Sequence, residues 1–164
     1  MGTGRADGAG FDGVKIGYLM PAVDTGWMKM DDMAPMEPFE RDAESVADYR
    51  RQSRVFLERA RSFLAEGDLH QASGKGWGAA AWMAKAVAET YGWKYNRHNE
   101  FFKVMHQARQ LSGDGRLRTL ADTAGTLHGN YYEREMFLYQ SAIGEGLDDM
   151  ERLLDILQPL TEAM

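Results

Sequence analysis

Cysteine is absent from all 164 residues. That excludes a disulfide framework, a thiolate-held zinc site, an iron–sulfur cluster and a thiol nucleophile, because each needs the sulfur itself. Proline is scarce too: there are four, and Pro21, Pro35 and Pro38 all precede residue 41. The rest of the chain therefore carries almost nothing that interrupts a helix. No apolar run approaches the roughly 18–20 residues that span a bilayer. The start, Met1-Gly2-Thr3-Gly4-Arg5-Ala6-Asp7, lacks the apolar core of a secretory signal. A cytoplasmic protein without a membrane span is the expectation. Positive charge is in deficit, with 19 Lys and Arg against 25 Asp and Glu and a net charge of −6. A general phosphate-neutralising surface, and with it a nucleic-acid partner, is not expected.

What is present reads as an ordinary globular domain. Hydrophobic residues make up 44% and charged residues 27%, and the length suits one domain. The unusual counts are 18 Gly and 11 Met, and their positions divide the chain near residue 41. Residues 1–41 hold Gly2, Gly4, Gly8, Gly10, Gly13, Gly17 and Gly26 with three of the prolines. Such a segment predicts an extended or irregular leader, since Gly and Pro both work against helix. Val14, Ile16 and Tyr18 alternate in a short strand-like pattern. The leader is nevertheless too apolar for a solvated tail. Tyr18, Leu19, Met20, Trp27, Met28, Met30, Met33, Met36 and Phe39 are residue types that adapt to irregular binding surfaces.

Residues 42–164 predict helices throughout. Val46, Tyr49, Ser53, Phe56, Leu57, Ala60, Phe63 and Leu64 step by three and four, which predicts a first helix from near Asp42 to Gly67. Gly67 is placed to take the left-handed conformation after a helix end, and Asp68 with Gln71 is placed to cap the next helix. The second helix, Leu69 to Tyr91, is small and apolar nearly all round, which marks a central helix. Asn96 is placed to cap a third helix over 97–112 with Phe101, Phe102, Met105 and Ala108 inward. A fourth spans about 115–133 and a fifth roughly 138–158. The expected fold is all-α, an up-and-down bundle of about five helices preceded by the irregular leader.

Few constellations point to chemistry. Gly74-Lys75-Gly76-Trp77-Gly78 looks like a phosphate loop, yet it lies inside a helix with no strand before it and no Gly-Lys-Ser/Thr ending. Close helix packing is the better reading. No two of His70, His98, His106 and His128 stand at i, i+3 or i, i+4, so no helical two-histidine metal face, and no metal or other cofactor, is expected. His98 belongs to a helix first turn and His106 to the surface. His128 falls on the inward stripe of the fourth helix beside Asn130, Tyr131 and Tyr132. With Lys75 and Trp77 these residues are the candidate pocket. The one basic patch, Arg50, Arg51, Arg54, Arg59 and Arg61, reads as a solvated face.

The run from Phe56 to Ala88 is carried by its Gly67-Asp68 turn and its Lys75-Gly76-Trp77 segment. With Gly92, Trp93, His98 and the later Leu127-His128-Gly129-Asn130-Tyr131-Tyr132-Glu133, it resembles the PaREP1-like branch of the HEPN superfamily over about residues 50–158. The resemblance implies a four- or five-helix bundle that commonly dimerises. It also implies one of two occupations: a toxin-like ribonuclease with an Arg-x4–6-His motif, or a non-catalytic accessory domain. RNA cleavage needs a His to move the proton and an Arg to hold the phosphorane charge. The windows where that Arg would stand are 63–65, 91–93, 99–101 and 121–123, and none contains arginine. The expectation is therefore a non-catalytic accessory or assembly subunit, acting as a homodimer or within a larger protein complex and docking through its leader. Two alternatives stand beside it. One is an RNA-acting enzyme built on His128, Tyr131, Tyr132 and Arg118. The other is a small-ligand or nucleotide-binding domain at Lys75, Trp77, His128 and Tyr131.

Overall fold

The computed structural model describes residues 42–97, 99–133 and 138–163. Five α-helices follow one another: α1 (Ala43–Ala65), α2 (Leu69–Tyr91), α3 (Glu100–Ser112), α4 (Arg116–Tyr132) and α5 (Gln140–Leu157), with a 3₁₀ turn over Gln158–Glu162. No strand occurs among the described residues. The expected all-α up-and-down bundle of five helices is what forms.

The signals at the ends of α1 and α2 act as their chemistry requires. Asp42 accepts from the Glu44 amide at 3.0 Å and from the Ser45 hydroxyl at 2.9 Å, which satisfies donors of the first turn. Gly67 takes φ +83°. Its amide donates to the Leu64 carbonyl at 3.0 Å while Asp68 donates to that of Phe63 at 2.9 Å, a Schellman closure. Asp68 then caps α2 by accepting from the Gln71 amide at 3.1 Å. Gly92, at φ +73°, ends α2 in the same way, with Trp93 donating to Ala88 at 2.8 Å.

α2 is the central helix. It packs most extensively on α1 and also meets α4, α5, α3 and the 3₁₀ turn. Three glycines admit three neighbours within about one turn. A Cβ on Gly74 would lie 2.6 Å from Cε1 of Tyr131 in α4. One on Gly76 would lie 2.6 Å from Cδ2 of Leu147 in α5, and one on Gly78 would lie 2.5 Å from Cδ2 of Phe56 in α1. The glycine run is thus a packing device, as its placement inside a helix implied.

Two expectations for α3 need correction. The helix begins at Glu100 after Asn99, not at 97 after Asn96. Tyr95, shortly before the helix, is buried. Phe102 is 45% exposed rather than inward. The buried stripe runs through Phe101, Val104, Met105 and Ala108, and Phe102 stands about 100° round from it.

Candidate functional site

Ring packing at the C-terminal end of α4 gathers most of the candidate pocket. His128 lies 4.4 Å, centroid to centroid, from Trp77 of α2 and 4.6 Å from Tyr132. Tyr131 stands 5.3 Å from Tyr132 and stacks on His70 at 4.4 Å. Trp77 closes the cluster from below, edge-on to the buried Phe101 at 4.9 Å. Burial, only partly offset by the Asp68 charge, lowers the His70 pKa. His70 therefore joins the cluster as a neutral ring at neutral pH.

The other two candidates go elsewhere. Asn130 is fully buried. Its amide donates to the Ser73 hydroxyl at 2.6 Å and its carbonyl accepts from the Leu138 amide at 3.0 Å, so it ties α4 to α2 and to the approach of α5. Lys75 reaches to α1, its Nζ 4.7 Å from the centre of the Phe56 ring. Arg118 shares α4 with His128 but ten residues apart, about 15 Å along the axis. The leader candidates Tyr18, Leu19, Met20, Trp27, Met28, Met30, Met33, Met36 and Phe39, and His98, lie outside the described residues.

The model of the archaeal PaREP1/PaREP8 family matches residues 48–145, from within α1 into α5. The chain belongs to this family. No curated protein and no solved structure matches it.

In this PaREP1/PaREP8 member the matched segment contains a second group of interest, which sequence reasoning missed. Lys85 of α2 is 5% exposed. Its Nζ lies 4.7 Å from the Tyr49 ring and 5.2 Å from the Trp82 ring, with those two rings 5.5 Å apart. Burial pushes the ammonium down to about 7, with Glu89 pulling the other way. Burial likewise raises the Glu89 carboxyl, and it pushes the Tyr49 hydroxyl up to about 12. The spacing of Lys85 and Glu89 on one helix face was the available signal, and the surrounding small residues hid it.

The basic face of α1 is largely satisfied within the bundle. Arg61 pairs with Asp148 at 3.1 Å and Glu151 at 2.7 Å on α5, and Arg54 pairs with Asp155 at 3.1 Å. Arg50 donates to the Thr161 hydroxyl at 3.1 Å, and Arg51 pairs with Asp48. Carboxylates that neutralise these guanidinium groups leave little for a phosphate backbone to displace.

Arg118 lines a groove of about 300 Å³ between α3 and α4 together with His106 and Arg109, and His128 does not line it. Among the described residues, no group of three or more His, Asp or Glu side chains is placed to hold a metal ion. None of the described helices is long and apolar enough to cross a membrane.

Proposed function

We propose that this chain is a non-catalytic helical accessory subunit that dimerises and docks on a partner protein through its leader, residues 1–41. The observation that carries the reading is where the family match falls. It covers 48–145 and leaves the Met- and aromatic-rich leader outside. A shared bundle with its own attachment segment suits an assembly subunit. The resemblance to non-catalytic HEPN domains points the same way.

The geometry of the bundle supports it. The His–Tyr–Tyr end of α4 is packed ring against ring, and Asn130 is committed to Ser73 and Leu138. Catalysis asks for convergent polar groups around space for a reacting atom, and here the rings pack on one another while Asn130 bonds outside the cluster. The RNA-acting reading needs Arg118 beside His128, which their separation along α4 does not favour.

Deleting residues 1–41 is expected to leave a helical, dimeric bundle that no longer binds its partner. The check is circular dichroism, sedimentation and co-purification from the native cell. A truncation that unfolds would make the leader part of the core and end the docking reading.

A further inference from the structure

Four helix ends meet at one end of the bundle. Gln140, which opens α5, donates to the Leu64 carbonyl in the last turn of α1 at 3.1 Å. Asn130, in the last turn of α4, donates to the Ser73 hydroxyl of α2 at 2.6 Å and accepts from the Leu138 amide, just ahead of α5, at 3.0 Å. Beside it, Tyr131 stacks on His70 in the first turn of α2 at 4.4 Å. These ties leave two rings open to solvent. Tyr132 is 61% exposed and Tyr139 80%, more than any other large apolar side chain among the described residues. A tyrosine so exposed offers a partner a flat ring and a hydroxyl at little entropic cost.

The charge at this end has one sign. Glu66 is the C-cap of α1 and Glu133 the C-cap of α4, and neither helix has a base in its last turn. A helix C-terminus is the negative pole of its dipole, so a base stabilises it and a carboxylate does not. Both helices carry the unfavourable choice. Asp68 caps α2 beside them and offsets the positive pole of that helix. Among the described residues, none of Glu66, Asp68 and Glu133 joins an ion pair. On α1 and α2 the nearest bases are held further up the bundle. Arg61 is paired with Asp148 and Glu151. Lys75 reaches the Phe56 ring, about 16 Å along α1 from Gly67. Through 62–74 and 123–147 the sequence holds five carboxylates and one base, Arg134, against 25 and 19 in the whole chain.

Open tyrosine rings and uncompensated carboxylates call for the same ligand chemistry. A guanidinium stacks on an aromatic face and forks to a carboxylate through one planar group. A lysine ammonium meets the ring as a point charge and lacks the fork. Phosphates and acidic segments are repelled here. We propose that this end of the bundle is a docking surface for an arginine-rich segment of a partner protein, with Tyr132 and Tyr139 as stacking platforms and Glu66, Asp68 and Glu133 as the anionic frame. The glutamates at the two C-caps weaken the free chain, and the incoming cations reverse that effect. Docking through the leader is a separate event, and either can fail alone.

The test titrates the full chain with a short arginine-rich peptide, its lysine counterpart, its citrulline counterpart, which keeps the shape without the charge, and spermidine. Calorimetry gives affinity, and amide chemical shifts locate the site. Expected is saturable binding of the arginine peptide, weaker binding of the lysine peptide and none of the citrulline peptide, with shifts confined to residues 63–70, 130–133 and 138–145. Glu66→Gln combined with Glu133→Gln is expected to weaken the arginine peptide more than about tenfold while raising the urea midpoint of the free protein. Tyr132→Ser combined with Tyr139→Ser is expected to weaken it by a similar factor with unchanged helical circular dichroism. Glu44→Gln combined with Glu162→Gln removes the same charge at the opposite end, where α1 starts and the 3₁₀ turn lies, and should leave the affinity unchanged. Equal weakening by the two glutamate pairs would reduce the effect to net charge and overturn the assignment. So would equal affinity for the citrulline peptide, spermidine binding as tight as that of the arginine peptide, shifts confined to other residues, or a lower urea midpoint in the Glu66–Glu133 variant.

Discussion

Gly76 of α2 lies flush against Leu147 of α5. A Cβ there would stand 2.6 Å from Cδ2 of a leucine with no exposed surface. Alanine favours a helix interior over glycine by about 1 kcal/mol, but overpacking costs about 1–3 kcal/mol. With Leu147 enclosed, the clash wins, and Gly76→Ala is expected to lower stability by about 1–2 kcal/mol. Gly144 is the internal contrast. A Cβ there meets Leu64 at an ordinary 3.5 Å, so Gly144→Ala is expected to stabilise by about 0.5–1 kcal/mol. Urea unfolding of the two variants reads the opposite signs directly.

Asn130 holds three elements at once. Replacing it by alanine leaves the Leu138 amide and the Ser73 hydroxyl without that partner. The expected loss is about 2–3 kcal/mol, seen as a lower urea midpoint with an unchanged slope. A loss below about 0.5 kcal/mol would mean that these groups find other partners.

Lys85 makes stability depend on pH, and the sign follows from its burial. The folded ammonium is held at about 7, whereas an unfolded lysine titrates near 10.4. Between those values the unfolded chain binds more protons, so stability rises with pH. The penalty is complete below about 7 and fades towards 10.4. The Tyr49 and Tyr95 hydroxyls, both raised by burial, stay protonated across this window in the folded state. The urea midpoint is expected to be higher at about pH 9.5 than at about pH 7. Lys85→Met is expected to be more stable at the lower pH and to flatten the profile. A flat wild-type profile would contradict this.

His128 is expected to matter for packing and not for chemistry. Its ring fills the space between Trp77 and Tyr132, so His128→Ala should cost about 1–3 kcal/mol. In an RNA cleavage assay the variant and the wild type should be indistinguishable at background. A wild-type activity that the substitution removes would favour the RNA-acting alternative.

The α1–α2 hairpin was legible because its stops are local: Gly67, Asp68 and Gly92 act on their own backbone neighbours. The central place of α2 was legible from its small residues. The start of α3 was not, because Asn96 and Asn99 carry the same capping signal and spacing does not choose between them. Phe102 misled for a related reason. The face a helix buries is set by what it packs against, and the choice went to Phe101 and Val104. The pocket around His128 was half legible. Helical spacing put His128, Tyr131 and Tyr132 together on α4, but it said nothing of the contact with Trp77 of α2, of the approach of Lys75 to Phe56 or of the stacking on His70. The α3–α4 groove depends on the register between two helices, which spacing along one helix does not contain.

Native mass spectrometry of the intact protein from its own cell, beside a full-length form with Trp27, Met28, Met30, Met33, Met36 and Phe39 changed to serine, tests the assembly role most directly. The wild-type chain should appear as a dimer within a larger complex. The serine form should keep the dimer and its helical spectrum while losing the partner. A wild-type chain found only as a bare monomer, or a serine form that retains the same complex, would contradict a leader-docked assembly subunit.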